Sequence, residues 1–365
     1  MEKEWKLIIF KSMASKIRGK KYSCLNFQII SFLFLFNLTS NSEIHLIIKG
    51  YGTQNLVSGE FSLANEPYEI LVNGVLNSGC TKTCELEGDM NNITLRFSDE
   101  INRYTNLFKG LQNIIEVDLS DLNANKVIYM EHMFHDCSNL EKINFGKIDT
   151  SSVENMVELF RGCIKLKSID LSNLDLSKVK QMTSMFLDCS SLESINLRNT
   201  NTSSLKNIGT LFQRCSSLTS IDLSNFDTSK VINMDFLFEG CSNLERINFG
   251  NINTSSLVQM NGLFQVCTKL TSIDLSNFYT SKVTNMEQMF LECSNLENVN
   301  FGNIDTSSLE NMQRLFQGCS KLTSIDLSIF NTTKVTNINF MFTDCSNLEK
   351  INFWNTTVAP IENMV

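Results

Sequence analysis

The sequence predicts an α/β solenoid, a right-handed coil of short parallel strands and short helices, with a small β-rich N-terminal cap. Three observations carry that expectation. Cysteines fall at Cys137, Cys163, Cys189, Cys215, Cys241, Cys267, Cys293, Cys319 and Cys345, each 26 residues from the next with no insertion. A phenylalanine column from Phe134 to Phe342 sits three residues before each cysteine, and a leucine column from Leu140 to Leu348 sits three after. Within each unit a period-2 apolar pair gives way to a stripe at helical spacing. A fixed period of about 20–50 residues marks a stack of similar coils rather than separate globular domains.

Composition agrees. The chain of 365 residues is 42% hydrophobic and 19% charged, which is enough apolar content to build a core. Its formal net charge of −8 argues against a nucleic-acid partner, which calls for a basic stripe. Twelve cysteines suggest a disulfide framework, but that pattern belongs to short secreted chains.

The first element is a leader. Residues 1–24 carry Lys3, Lys6, Lys11, Lys16, Arg18, Lys20 and Lys21 against Glu2 and Glu4. Leu25 to Leu38 is uncharged and rich in Phe, Ile and Leu, and Thr39-Ser40-Asn41-Ser42 is polar. A basic region, a short apolar run and a polar stretch describe a signal peptide over 1–42, with Met13 as an alternative start. The run is shorter than the ~20 residues of a spanning helix. A retained signal anchor and a buried apolar segment are the other readings. The expected location is extracellular or at the cell surface, through the secretory pathway, where thiols oxidise. Membrane contact is expected only through this segment or through an anchor missing from this sequence.

The β-rich cap is expected over 43–92. Ile44, Leu46 and Ile48 alternate, as do Ile70 and Val72. Glu85 to Asp89 leading into Ile93-Thr94-Leu95 reads as a hairpin. Cys80 and Cys84 form the disulfide candidate; the alternative, a metal site, lacks further ligands.

About ten repeats fill 93–365, the last incomplete. The first is degenerate, with Ile101, Tyr104, Leu107, Phe108 and Leu111 in the repeat columns. The unit from Cys215 to Cys241 is representative. Ile221 and Leu223 point to one face of a short strand, and Phe226 begins the turn. Thr228-Ser229 reads as a helix N-cap. Val231, Met234, Leu237, Phe238 and Cys241 then read as the apolar stripe of a helix of about three turns. Gly240, like Gly162 and Gly318, suits that helix's C-terminus. At the far end Trp354 and Pro360 mark a divergent unit. Ile361 and Met364 keep the columns, but no further Phe and Cys follow. The expectation is a sequence cut short; a partial cap is the alternative.

The segments Ser-Ile-Asp-Leu-Ser-Asn-Phe-Asp-Thr-Ser-Lys-Val at 220–231 and Met-Phe-His-Asp-Cys-Ser-Asn-Leu at 133–140 resemble leucine-rich repeats. More closely, they are similar to the BspA-type repeats of bacterial and protist surface proteins. The resemblance covers roughly 93–365. It implies a leucine-rich-repeat-like coil in a secreted or cell-surface protein that binds or adheres.

One column alternates with a 52-residue super-period: Asp118, Asn144, Asp170, Asn196, Asp222, Asn248, Asp274, Asn300 and Asp326. Duplication of a two-repeat unit accounts for its origin. Its position between inward residues predicts a solvent-facing column on the strand side, the candidate binding face. Coils there lie about 4.8 Å apart. Interposed Asn separates the carboxylates to about 10 Å, near a Debye length, and can donate to them. An ion ladder is not expected, because each coil offers one such side chain.

The cysteine column is expected to be buried and reduced, since it has a packing role and nine thiols cannot all pair. His132, His135 and Cys137 spell His-x-x-His-x-Cys. The histidine positions vary between units and Cys137 belongs to the core column, so no metal site and no cofactor are expected. Glycosylation sequons fall at Asn92, Asn201, Asn253, Asn331 and Asn355, although Asn-Thr-Ser is equally good turn chemistry. No phosphate loop or nucleophile–base pair is visible, so the chain is not expected to be an enzyme. The leading expectation is a binder of an extracellular or surface protein or glycan through its strand-lined face. Alternatives are a self-associating surface-coat component and an intracellular repeat scaffold.

Overall fold

The computed structural model describes residues 42–353. The leader lies outside these residues, apart from Ser42, and so do Trp354, Asn355, Pro360, Ile361 and Met364. Ser42 is not part of a leader stretch: it opens the first cap strand.

The cap is built from β1 (Ser42–Lys49), β2 (Gly52–Asn55), β3 (Glu69–Val72), β4 (Val75–Leu76), β5 (Thr83–Leu86) and β6 (Met90–Phe97). Ile44, Leu46 and Ile48 of β1 are buried, as are Ile93, Leu95 and Phe97 of β6. That match sets the antiparallel register, Ile44 against Leu95 and Leu46 against Ile93. The hairpin expected between 85 and 95 does not form. β5 pairs with β2, whereas β6 pairs with β1 and β3. The apolar face of β6 finds its match on β1, and the adjacent segment cannot supply one. β6 also carries the cap to Phe97, past the expected boundary at 92.

The repeat strands follow as β7 (Ile114–Asp118), β8 (Lys142–Asn144), β9 (Ser168–Asp170), β10 (Ser194–Asn196), β11 (Ser220–Asp222), β12 (Arg246–Asn248), β13 (Ser272–Asp274), β14 (Asn298–Asn300), β15 (Ser324–Asp326) and β16 (Lys350–Asn352). The cap joins the stack directly. β1 pairs antiparallel with β7, and the sheet runs β4-β3-β6-β1-β7-β8. A stack of coils ends in a row of unpaired backbone groups, and β1 satisfies that row.

The expected short helices are absent; the described residues contain no α-helix, so the stack is a β-solenoid of turns and parallel strands. The apolar stripe is as read, with Val127, Met130, Met133, Phe134 and Cys137 all buried. Its backbone bonding is different. An α-helix sends each N–H to the carbonyl four residues back. Here Met130, His132, Phe134 and Asp136 donate to Asn155, Val157, Leu159 and Arg161 of the next coil. The intervening Met133, His135 and Cys137 close tight turns three residues back. Two residues of each turn stripe adopt left-handed backbone, such as His132 (φ 57°) and Asp136 (φ 57°). Gly162, Gly240 and Gly318 occupy the second of these positions, so they serve turns rather than helix ends. Thr228, read as a helix cap, is buried and donates to the Asn253 carbonyl of the next coil.

Phenylalanine rings fill the centre. From Phe108 to Phe342 each stacks on the next, with centroids 5.3–6.0 Å apart and interplanar angles of 0–25°. Beside them the nine column cysteines are free thiols. Each donates to the phenylalanine carbonyl of the preceding coil, as Cys215 does to Phe186 at 3.2 Å. A cysteine therefore fills a small apolar space and satisfies a second lone pair on a buried carbonyl. Burial pushes the thiols well above their ordinary range, Cys293 to about 12 and the less buried Cys345 to about 11.

Candidate binding surface

The repeat strands β8 to β16 are each three residues long and turn their first and third residues outward. In β11 Ser220 and Asp222 are exposed while Ile221 is buried. The alternating column lies where the sequence places it, at the outward third position. Its carboxylates and amides have a local task first. Asp118, Asp170, Asp222, Asp274 and Asp326 each accept from the backbone N–H two residues on, at 2.8–2.9 Å. Asn144, Asn196, Asn248 and Asn300 accept in the same way at 3.0–3.2 Å. These are Asx turns.

The amide nitrogens then decide the alternation. Asn144, Asn196, Asn248 and Asn300 each donate to the aspartate of the preceding coil at 3.0–3.1 Å. Only Asn can accept in its own turn and donate across the coil. Serine hydrogen bonds, hydroxyl first and backbone second, lower the pKa of Asp170, Asp222 and Asp274. These residues are thus committed to turn structure as well as exposed.

The same alternation organises the strands. They pair in twos: β7 with β8, β9 with β10, β11 with β12, β13 with β14 and β15 with β16. Among the described residues the ladder is interrupted between one pair and the next. Every pair joins an Asp coil to the following Asn coil. The duplication unit of the sequence is a physical unit of the strand face.

An open groove of about 670 Å³ spans two of these interruptions, between β10 and β11 and between β12 and β13. Ile195, Ile221, Ile247 and Ile273 line it, together with Ser194, Ser220, Ser272, Asp222, Asn248, Asp274, Glu193, Glu245 and Arg246. Ile195 and Ile247 are only half-buried, whereas Ile221 and Ile273 are buried. Glu193 and Glu245 belong to a second acidic column with Glu141, Glu297 and Glu349, which the sequence reading missed. Its signal was there: a glutamate one residue before every Asn-type strand, repeating at 52 residues. A second cavity of about 510 Å³ lies where the cap meets the first coils, lined by His45, Thr94, Asp118, Lys142 and Asn144 among others.

The other candidate residues lie elsewhere. Cys80 and Cys84 are joined in a disulfide inside the cap. Asn92, Asn201, Asn253 and Asn331 are exposed, and the last three form Asx turns with Ser203, Ser255 and Thr333. His-x-x-His-x-Cys is divided. Cys137 points into the core and donates to the Phe108 carbonyl. His132 and His135 stay outside and meet Glu158 of the next coil.

Comparison with known proteins bears on the repeat. No curated protein matches the chain. A leucine-rich repeat protein from Bacteroides ovatus is similar in structure at 22% identity and a TM-score of 0.35, covering 80% of this chain and 90% of that one. A leucine-rich repeat protein of Leptospira interrogans is similar at 12% identity and a TM-score of 0.21, covering 62% and 86%. A family model described as "Mycoplasma protein of unknown function, DUF285" matches residues 102–221, 189–274, 207–303 and 270–365. These matches run without a gap through the stack of 26-residue coils from residue 102 onward, and the chain belongs to that family.

Proposed function

We propose that this is a secreted or cell-surface repeat protein that binds an extracellular protein or glycan through its strand-lined groove. The observation that carries the reading is the groove over β10–β13, where half-buried isoleucines lie among serine, acidic and arginine side chains. A recognition surface of that kind has an apolar centre for burial and a polar rim for orientation. The Cys80–Cys84 disulfide and the exposed sequon asparagines support a secretory setting. We read the chain as a binder and not an enzyme, because its polar side chains recur coil after coil as turn structure.

The test is a binding screen of the purified full chain against glycan and surface-protein panels, repeated with Ser220→Arg plus Ser272→Arg. These exposed positions carry no turn hydrogen bond of the kind made by Asp222, so the fold is expected to survive. Any ligand found should bind at least about tenfold more weakly to the double variant, the order of one lost contact worth ~1.4 kcal/mol. Unchanged binding sinks the groove reading. Sedimentation that shows concentration-dependent oligomers, with no ligand bound, favours a self-associating coat instead.

A further inference from the structure

The cluster at His132, His135 and Glu158 has a geometry that turn packing does not require. His132 Nδ1 and His135 Nδ1 lie 3.2 and 3.1 Å from the same Glu158 oxygen, Oε2. The two nitrogens are 3.4 Å apart. Three ligand atoms thus form a nearly equilateral triangle. Tetrahedral zinc holds nitrogen and oxygen ligands at ~2.0–2.1 Å, which sets neighbouring ligand atoms ~3.3–3.4 Å apart. An ion centred just off this triangle meets all three at bonding distance with little rearrangement.

The surroundings orient the same three atoms. His135 Nε2 lies 3.4 Å from Asp136 Oδ2. A carboxylate there favours the proton on Nε2 and leaves the Nδ1 lone pair for a metal. Arg161 Nη1 donates to Glu158 Oε1 at 3.0 Å, which fixes the carboxylate with Oε2 turned to the histidines. The side chains of His132, His135 and Glu158 remain 31%, 14% and 19% exposed, so a fourth position opens to solvent. Left-handed backbone at His132 and Glu158 turns both side chains to this outer corner.

We propose that His132, His135 and Glu158 form a three-ligand site for a zinc-class divalent cation, linking two adjacent coils near the capped end. Two histidines and one carboxylate suit zinc and its late first-row neighbours; calcium and magnesium prefer all-oxygen sets. Cys137, the fourth chemical candidate in the sequence, takes no part.

The experiment is calorimetric titration of the purified full chain with zinc chloride, with calcium chloride as the control. The repeat itself supplies fold-preserving variants. Asn106 holds the His132 position with φ 64°, and Gln288 holds the Glu158 position with φ 57°. Gln213, Gln265 and Gln317 stand in the His135 column. The expected result is one zinc per chain, no calcium binding, and loss of that zinc in His132→Asn plus His135→Gln. Asp136→Asn should weaken zinc by about 10- to 100-fold while leaving the stoichiometry at one, as loss of an orienting partner does. Zinc should raise the melting temperature of the parent but not of the double variant. Absence of saturable zinc binding in the parent, or equal binding in the double variant, overturns the proposal.

Discussion

Two ladders hold the coils together, and they are built differently. The turn ladder is unbroken: parallel backbone bridges link Arg103, Tyr129, Asn155, Gln181 and so on through Asn337, coil after coil. Alternate N–H groups along the stripe reach the next coil, and the stacked phenylalanines run beneath. The strand ladder comes in pairs, with an interruption every second coil. The strand ladder leaves half-buried isoleucine surface at Ile195 and Ile247, and an open groove spans the two interruptions beside them. Continuity marks the turn side, and its interruption marks the strand side where the groove lies.

The sharpest way to break this contrast is a pair of core truncations measured by urea unfolding. Phe238→Ala removes a fully buried ring from the stack and should cost about 3–5 kcal/mol. Ile247→Ala lies on the half-buried strand side and should cost about 1–2 kcal/mol. Equal costs would mean that the two ladders carry the same load. An effect smaller than that of Phe238→Ala is expected at the strand-side turn. Gly302 has φ 56°, and a Cβ there would lie 2.5 Å from the Ser276 Cβ. Gly302→Ala should destabilise by about 2 kcal/mol, from left-handed strain and overpacking together. A neutral result would show that the strand-side turns yield where the turn ladder does not.

The mildest effect concerns pH. Hydrogen bonds lower the pKa of Asp170, Asp222 and Asp274 in the folded chain. A depressed carboxylate stabilises the fold above its unfolded value of about 3.9, and this is lost as pH falls through the folded value. The melting temperature should therefore drop below about pH 4, and Asp222→Asn, which keeps the turn acceptor, should flatten part of that drop. An unchanged acid profile would show that these side chains contribute to the turns equally well when protonated.

Much of this was legible in the residues. The 26-residue columns mark which side chains face inward, and Val127, Met130, Phe134 and Cys137 are buried as their spacing requires. The Asp/Asn alternation pointed to the strand face and to amide-to-carboxylate bonds. The helices were not legible correctly, for a physical reason. Apolar spacing reports where side chains point, and a chain of tight turns can satisfy the same spacing as a helix. The deciding event is the direction of the backbone N–H groups, which here go to a neighbour 25 residues on. Left-handed positions are occupied by His132, Glu158, Phe236 and Gln288, residues that carry no glycine signal.

By itself, then, the sequence determined the repeat, its register, the inward columns, the buried thiol column and the two-coil unit, because each is a periodic property of residue type. Only the tertiary structure decided what depends on a neighbouring coil. That includes the replacement of helices by inter-coil turns, the pairing of β6 with β1 rather than β5, the interrupted strand ladder and the meeting of His132 and His135 with Glu158. Each of these rests on a contact between coils or between distant strands, and residues 26 apart become neighbours only once the coils are stacked.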